Sequence, residues 1–229
     1  MSPDIQASGT PRALLENDAR QPENDLLGHP VWKSVFDGTM PRPRLKRLLL
    51  GIAPAVAGPG RYAFAAKVSQ IGAADGKDLF LALYDSLKVP EANADDGWRE
   101  LLAAAGASTR EIADAFAHPS AEAADFVEVV KMHGLRSSPV EASVIAWMLE
   151  RHLPRLWAGL ADALEKKYGV PAKACAYLRY QAAAAKKVEK WVDHLVESYV
   201  VPASPYKVFE GRRAGREAVW AWTVLIESA

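Results

Sequence analysis

The stretch Ser138-Pro139-Val140-Glu141 constrains the fold more than any other part of this 229-residue chain. A serine able to cap, proline at the first helical position and glutamate three residues after the cap together specify a helix start. By its apolar spacing the helix runs to Tyr168 and stops at Gly169, with Pro154 kinking it about midway. A second long helix is expected from Ala172 to Tyr199, ending before Pro202. Each carries an apolar stripe that must be buried against other elements.

The remaining chain is punctuated in the same way. Pro30–Phe36 reads as a short amphipathic helix closed at Gly38. Arg44 to Ala57 is apolar at helical spacing, bent at Pro54 and interrupted at Gly58-Pro59-Gly60, with helices resuming over 61–71 and 78–87. Asp95 or Asp96 is expected to cap a helix ending at Gly106, Ser108-Thr109-Arg110-Glu111 forms a capping box, and Ala121 to His133 ends at Gly134. After a loop containing Pro205 and Gly211, a last helix is expected over 216–228. β-Branched residues are few and no two-residue hairpin signal occurs. The expectation is an all-α bundle of seven to eight helices, one domain over residues 21–229 behind a flexible segment 1–20.

The 28 basic residues balance the 28 acidic ones. That zero net charge argues against a nucleic acid or a membrane surface as partner, since both call for a basic excess. The single cysteine, Cys175, leaves no internal disulfide and fits a cytoplasmic protein. The first residues lack a basic, then apolar, signal-peptide pattern. The longest apolar stretch, Leu48 to Gly58, is well short of the ~20 residues that span a bilayer.

Three stretches carry a family resemblance: His29-Pro30-Val31-Trp32 with Asp37 to Leu45; Trp98 to Glu111; and Ser138 through Lys167-Tyr168-Gly169 to Lys187 and Trp191. Their order and spacing over residues 26–200 resemble the heme-oxygenase-like superfamily, in the branch of thiaminase-type (TenA-like) proteins, the cofactorless quinone-forming oxidase (PqqC-like) and the non-heme di-iron oxidases. The resemblance implies a helical bundle with a small-molecule cavity between its central helices.

Each chemistry of that branch asks for particular residues. Where the di-iron members place His-x3-Asp-x2-His, this chain has Tyr180, Ala184 and Lys187. A charged lysine cannot ligate a cation. Glu150 matches a ligand of the third core helix, Ser86 stands where another glutamate would fall, and Asp85 is adjacent to it. One or two donors do not hold a di-iron site, so no metal ligands are assigned and iron is not expected. A thiaminase needs a cysteine nucleophile on the third core helix; Val144 to His152 has none, and Cys175 reads as a small buried thiol. His29 reads as structural, not as a heme ligand.

The cofactorless oxidase fits better. His152-Leu153-Pro154-Arg155 resembles its His-x2-Arg pair, and Tyr177-Leu178-Arg179-Tyr180 its tyrosine- and arginine-rich stretch. Such a site would hold an anionic, electron-rich substrate that itself reduces dioxygen, with no cofactor. Its early catalytic histidine has no counterpart between Tyr84 and Asp96, which makes the quinone precursor itself an unexpected substrate. Tyr180, placed in the stripe 177, 180, 184, 188, 191, 195, and Lys187 on its flank are the first catalytic candidates, followed by Glu150, His152 and Tyr177. Arg155, Arg179 and Arg61 are candidate anion binders, with Tyr62 and Trp147 as further substrate contacts. Trp147, Trp157, Trp191, Trp220 and Trp222 read as core or homodimer contacts. Two alternatives stay open: a ligand-binding or partner protein that has lost its metal site, and an iron oxidase with rearranged ligands such as Asp85 and Glu150.

Overall fold

The computed structural model describes residues 9–57, 89, 93–135 and 138–229. They form α-helices and short helical turns, with no strand among the described residues. In chain order the helices are α1 (Pro11–Ala19), α2 (Pro30–Phe36), α3 (Arg42–Ala57), α4 (Ala94–Ala104), α5 (Thr109–Ala117), α6 (Ala121–Leu135), α7 (Pro139–Leu149), α8 (Leu153–Lys166), α9 (Ala176–Ala183), α10 (Ala185–Leu195) and α11 (Pro205–Glu227). A π turn, Val196–Val200, extends α10.

Local chemistry accounts for several boundaries. Pro30 opens α2, and the His29 ring caps it by accepting from the Val31 amide at 3.3 Å. The turn after it needs Gly38, whose φ is +75° and where a β-carbon would lie 2.9 Å from Lys167 Cβ. The capping box of α5 is present, with Ser108 and Glu111 bonding reciprocally. The cap of α4 is Asn93, not Asp95 or Asp96; its side chain accepts from the Asp96 amide at 3.2 Å.

Four expectations change. The first twenty residues are not wholly flexible: α1 packs, with Leu15 fully buried and Asp18 accepting from Arg212 at 2.7 and 2.8 Å. The helix from residue 138 does not kink but ends at Leu149, and α8 starts at Leu153. Pro154 has no N–H for the Glu150 carbonyl and its ring crowds that carbonyl, so the ladder stops four residues before it. The helix from residue 172 is a 3-10 turn over Ala172–Cys175, then α9, a break at Ala184, and α10. Alanine is the best helix former, so the local sequence gives no reason for that break. Finally, Pro205 and Gly211 do not make a loop; Pro205 opens α11 and Gly211 lies within it.

α7 is the central element: every residue from Ala142 to Leu149 is buried. It packs most extensively on α11, and also meets α6, α10 and the π turn. Gly211 and Gly215 allow the α7–α11 approach; a β-carbon on Gly215 would lie 2.6 Å from Met148 Sδ and 2.8 Å from Val144 Cγ1. Beside this pair, α8 packs on α9, and α3 covers α4, α5 and α6. Trp98, Trp157, Trp222 and Trp32 form a continuous chain through the core, with successive ring centroids 5.7, 6.4 and 6.5 Å apart. Each fully buried aromatic of this kind contributes about 1.5–3 kcal/mol of apolar burial. Among the described residues no helix is long and apolar enough to cross a membrane.

Candidate functional site

The break between α7 and α8 gathers most of the chemistry that the structure places. Glu150 ends α7, its amide bonding the Ala146 carbonyl at 2.8 Å, and Arg151 and His152 follow in the turn. Arg151 lies over the Trp147 ring, its guanidinium carbon 4.8 Å from the ring centre. The two are four residues apart, so helical spacing brings them together. His152 is partly buried and precedes α8 without capping it. Burial first, then the positive charges of Arg151 and Arg155, hold its pKa below the usual imidazole value, against a weaker pull from Asp25. A neutral imidazole with two arginine charges acting on it can accept a proton, and the arginines can attract an anion.

The surroundings tie this turn to distant parts of the chain. The Trp147 indole N–H donates to Asp193 Oδ1 at 3.2 Å, and the same oxygen accepts from Arg12 Nη2 at 2.9 Å. Arg12 also reaches Glu197 in the π turn at 2.9 Å. Arg155 is exposed and its nearest carboxylate, Glu189, is 3.8 Å away, so its charge is only loosely engaged.

The other expected site residues lie elsewhere. Tyr180 is 38% exposed and so does not occupy a core stripe, and Lys187, expected on its flank, is exposed. Tyr180 shares α9 with the buried Tyr177 but faces outward, and the break at Ala184 separates Lys187 from their register; of the downstream stripe, α10 buries Leu195, together with Val192. Tyr177 is buried, packed so tightly on α4 that a β-carbon on Gly97 would lie 2.4 Å from Tyr177 Cβ. Arg179 pairs with Asp162 at 2.6 Å and Glu165 at 3.0 Å. Burial works against its charge, but hydrogen bonds to those two carboxylates outweigh it and hold its pKa above the usual value. An anion would have to displace both. Trp147 is buried to 1% exposure, which makes it a support for Arg151 and not a contact surface. Arg61, Tyr62, Tyr84, Asp85 and Ser86 lie outside the described residues. Of the tryptophans read as core or homodimer contacts, Trp147, Trp157 and Trp222 are buried, whereas Trp220 is 68% exposed.

Cys175 is fully buried, and burial, with Glu165 adding to it, pushes its thiol up to about 11. His29 is structural as expected, capping α2 and bonding Glu227 at 3.2 Å. Among the described residues no group of three or more His, Cys, Asp or Glu side chains is placed to hold a metal ion. The di-iron ligand pattern does not fit these residues, since Tyr180, Ala184 and Lys187 supply no set of donors beside Glu150. Sequence reading did not single out Arg12, Asp193 or Arg151. The first two meet across 181 residues, a pairing for which a single sequence carries no signal. Arg151 was visible as a cation beside His152.

No protein-family model matches the chain, and no curated protein matches it. One solved structure that does match is titled "TenA homologue protein from P.horikoshii OT3"; it superposes with a TM-score of 0.60 at 15% sequence identity, covering 96% of this chain and 100% of that one. The fold is TenA-like. At that identity the TenA-like likeness is one of architecture, and it agrees with the helical bundle expected from the resemblance to the heme-oxygenase-like superfamily. The chemistry has to be argued from this chain's own residues.

Proposed function

We propose that this TenA-like chain is a small-molecule enzyme that carries out metal-independent proton-transfer or oxidation chemistry on an anionic organic substrate at the α7–α8 break. The observation that supports it is His152, a half-buried imidazole depressed in pKa by burial and by its two arginine neighbours. Arg155, and Arg151 supported on Trp147, bind the substrate anion; His152 takes a proton from the substrate. In the oxidative form of the reaction the substrate loses two electrons and two protons to dioxygen, giving an oxidised product and hydrogen peroxide. One proton passes through His152, and the electrons come from the electron-rich substrate itself. A thiaminase-type reaction has less support, because the only cysteine is buried and its thiolate is strongly disfavoured.

A panel of electron-rich aromatic carboxylates tests this reading. Binding is followed by thermal shift, and turnover by oxygen uptake and by exchange of activated C–H for deuterium. Arg155→Ala should weaken binding, and His152→Ala should abolish turnover while leaving binding in place. Turnover unchanged in His152→Ala, or activity that tracks stoichiometric iron or manganese in the purified protein, would sink it. A second reading, ligand binding without catalysis, is favoured by the surface placement of Tyr180 and Lys187. It predicts binding that depends on Arg155 with no turnover across the panel.

A further inference from the structure

We propose that the N-terminal helix α1 is a positioning element for the α7–α8 site, acting through Arg12 and Asp193 as positioning residues; this rests on the reading of that site given above. The physical path is short. Arg12 on α1 and Trp147 on α7 share one acceptor, Asp193 Oδ1, at 2.9 and 3.2 Å. The Trp147 ring in turn carries Arg151, the immediate neighbour of His152. Three contacts therefore connect a surface helix to the cation beside the imidazole.

The shared oxygen gives Arg12 its effect. The Asp193 side chain is 34% exposed, so on its own it can rotate toward water. Arg12 opposes that rotation with a charge-assisted hydrogen bond, and a second one to Glu197 fixes the guanidinium. Held there, Asp193 keeps the indole N–H of the fully buried Trp147 satisfied, and with it the plane on which Arg151 rests. The other end of α1 is anchored separately, because Asp18 pairs with Arg212 on α11, with only 9% of each side chain exposed. α1 thus bridges α11 and the α10–π-turn segment, two of the elements packed against α7. Mere covering of the core would call for neither the shared acceptor nor the second carboxylate.

The test uses the full-length protein with Arg12→Ala, Arg12→Lys and Asp193→Asn, and Arg20→Ala as control. Arg20 is on the same end of the chain but its side chain is 73% exposed and, among the described residues, pairs with Glu16 alone, at 3.5 Å. The first readout needs no ligand: the Trp147 indole N–H, the Arg151 guanidinium and the His152 ring are followed by NMR. Arg12→Ala and Asp193→Asn should move all three, Arg12→Lys should restore them in part, and Arg20→Ala should move none. The second readout is the affinity for 4-hydroxybenzoate as a probe anion, expected to fall roughly five- to tenfold in Arg12→Ala, the low end for coupling between separated sites. If the indole signal moves while Arg151 and His152 do not, α1 is only a structural brace and the proposal is overturned. If the three signals move together but no variant of Arg151, His152 or Arg155 affects the probe, the positioning path stands and it is the assignment of the site that fails.

Discussion

Gly→Ala substitutions at two helical glycines should have opposite signs, and the difference measures how closely α7 and α11 approach. In an open helix interior alanine is favoured over glycine by about 0.5–1 kcal/mol, because glycine loses more backbone freedom on folding. Gly51 on α3 is such a position: among the described residues the nearest atom to a new β-carbon is Leu225 Cδ1 at 4.0 Å. Gly51→Ala should therefore stabilise by that amount. Gly215 is different, because the new methyl would lie 2.8 Å from Val144 Cγ1 and 2.6 Å from Met148 Sδ. The methionine can swing aside, but the β-branched valine has essentially one rotamer in a helix. Overpacking of this kind costs about 1–3 kcal/mol, which offsets or outweighs the gain in propensity.

The two variants should then differ by roughly 1–3 kcal/mol, or about 2–12 °C in Tm at the sensitivity expected for a chain of this size. Urea and thermal unfolding followed by circular dichroism would read it. Val144 is fully buried, and truncating it to alanine removes the Cγ1 that the added methyl would meet. In a Val144→Ala background Gly215→Ala should become neutral or stabilising, a coupling of about 0.5–3 kcal/mol. If Gly215→Ala raises Tm as much as Gly51→Ala, or acts equally in both backgrounds, the close α7–α11 contact is not there.

Cys175 should stay unmodified by iodoacetamide in the native protein and react only after unfolding, given its burial and a pKa of about 11; rapid native labelling would contradict its placement. The Glu111 carboxyl is drawn down to about 2, first by Lys46 and then by the Ser108 amide and hydroxyl. Its contribution to stability is complete above pH ~4.5 and lost as pH falls toward 2. Glu111→Gln should lose that part of the acid sensitivity, modestly, because the pair is exposed and screened by salt. His152 works the same way: with its pKa depressed, the unfolded chain takes up a proton first as pH falls below about 6.5, so stability drops there, and His152→Gln should flatten that part of the pH profile. Asp18→Asn removes the carboxylate that Arg212 meets at 2.7 Å and Arg216 at 3.3 Å and should destabilise the fold, readable as a drop in urea midpoint.

The class of fold was legible because helix boundaries are written in local chemistry. Ser108 with Glu111, Pro30 with His29, and Pro139 all mark ends that depend on neighbours within a few residues. What the sequence did not disclose was how long each helix runs once tertiary contacts intervene. Gly211 and Gly215 look like breakers locally, yet they are where α11 meets α7, so the contact decides. At Ala184 a run of four alanines offers no stop, and the helix breaks regardless. The site was less legible than the fold, since pairing Lys187 with Tyr180 rested on a register carried across that break, and which face of α9 turns inward is set by packing on other helices.

At Pro154, unlike Ala184, the helix break has a local cause, and it shapes the proposed site. In an unbroken helix Arg151 and Arg155, four residues apart, would share a face while His152 pointed about 100° away. Ending α7 at Leu149 and restarting at Leu153 places His152 in the turn just ahead of α8, partly desolvated, with the charges of Arg151 and Arg155 both acting on its ring. Arg151 keeps the one relation that lies upstream of the break, its stacking on Trp147. Burial and two positive neighbours both favour the neutral ring, and a neutral ring is what a proton acceptor requires. A proline that reads as a kink in an amphipathic pattern is thus the residue on which the proposed chemistry depends. Pro154→Ala, which lets the ladder continue, should raise the His152 pKa toward its ordinary value if the ring is carried out of its partly buried turn; an unshifted NMR titration in that variant would refute this account of the site.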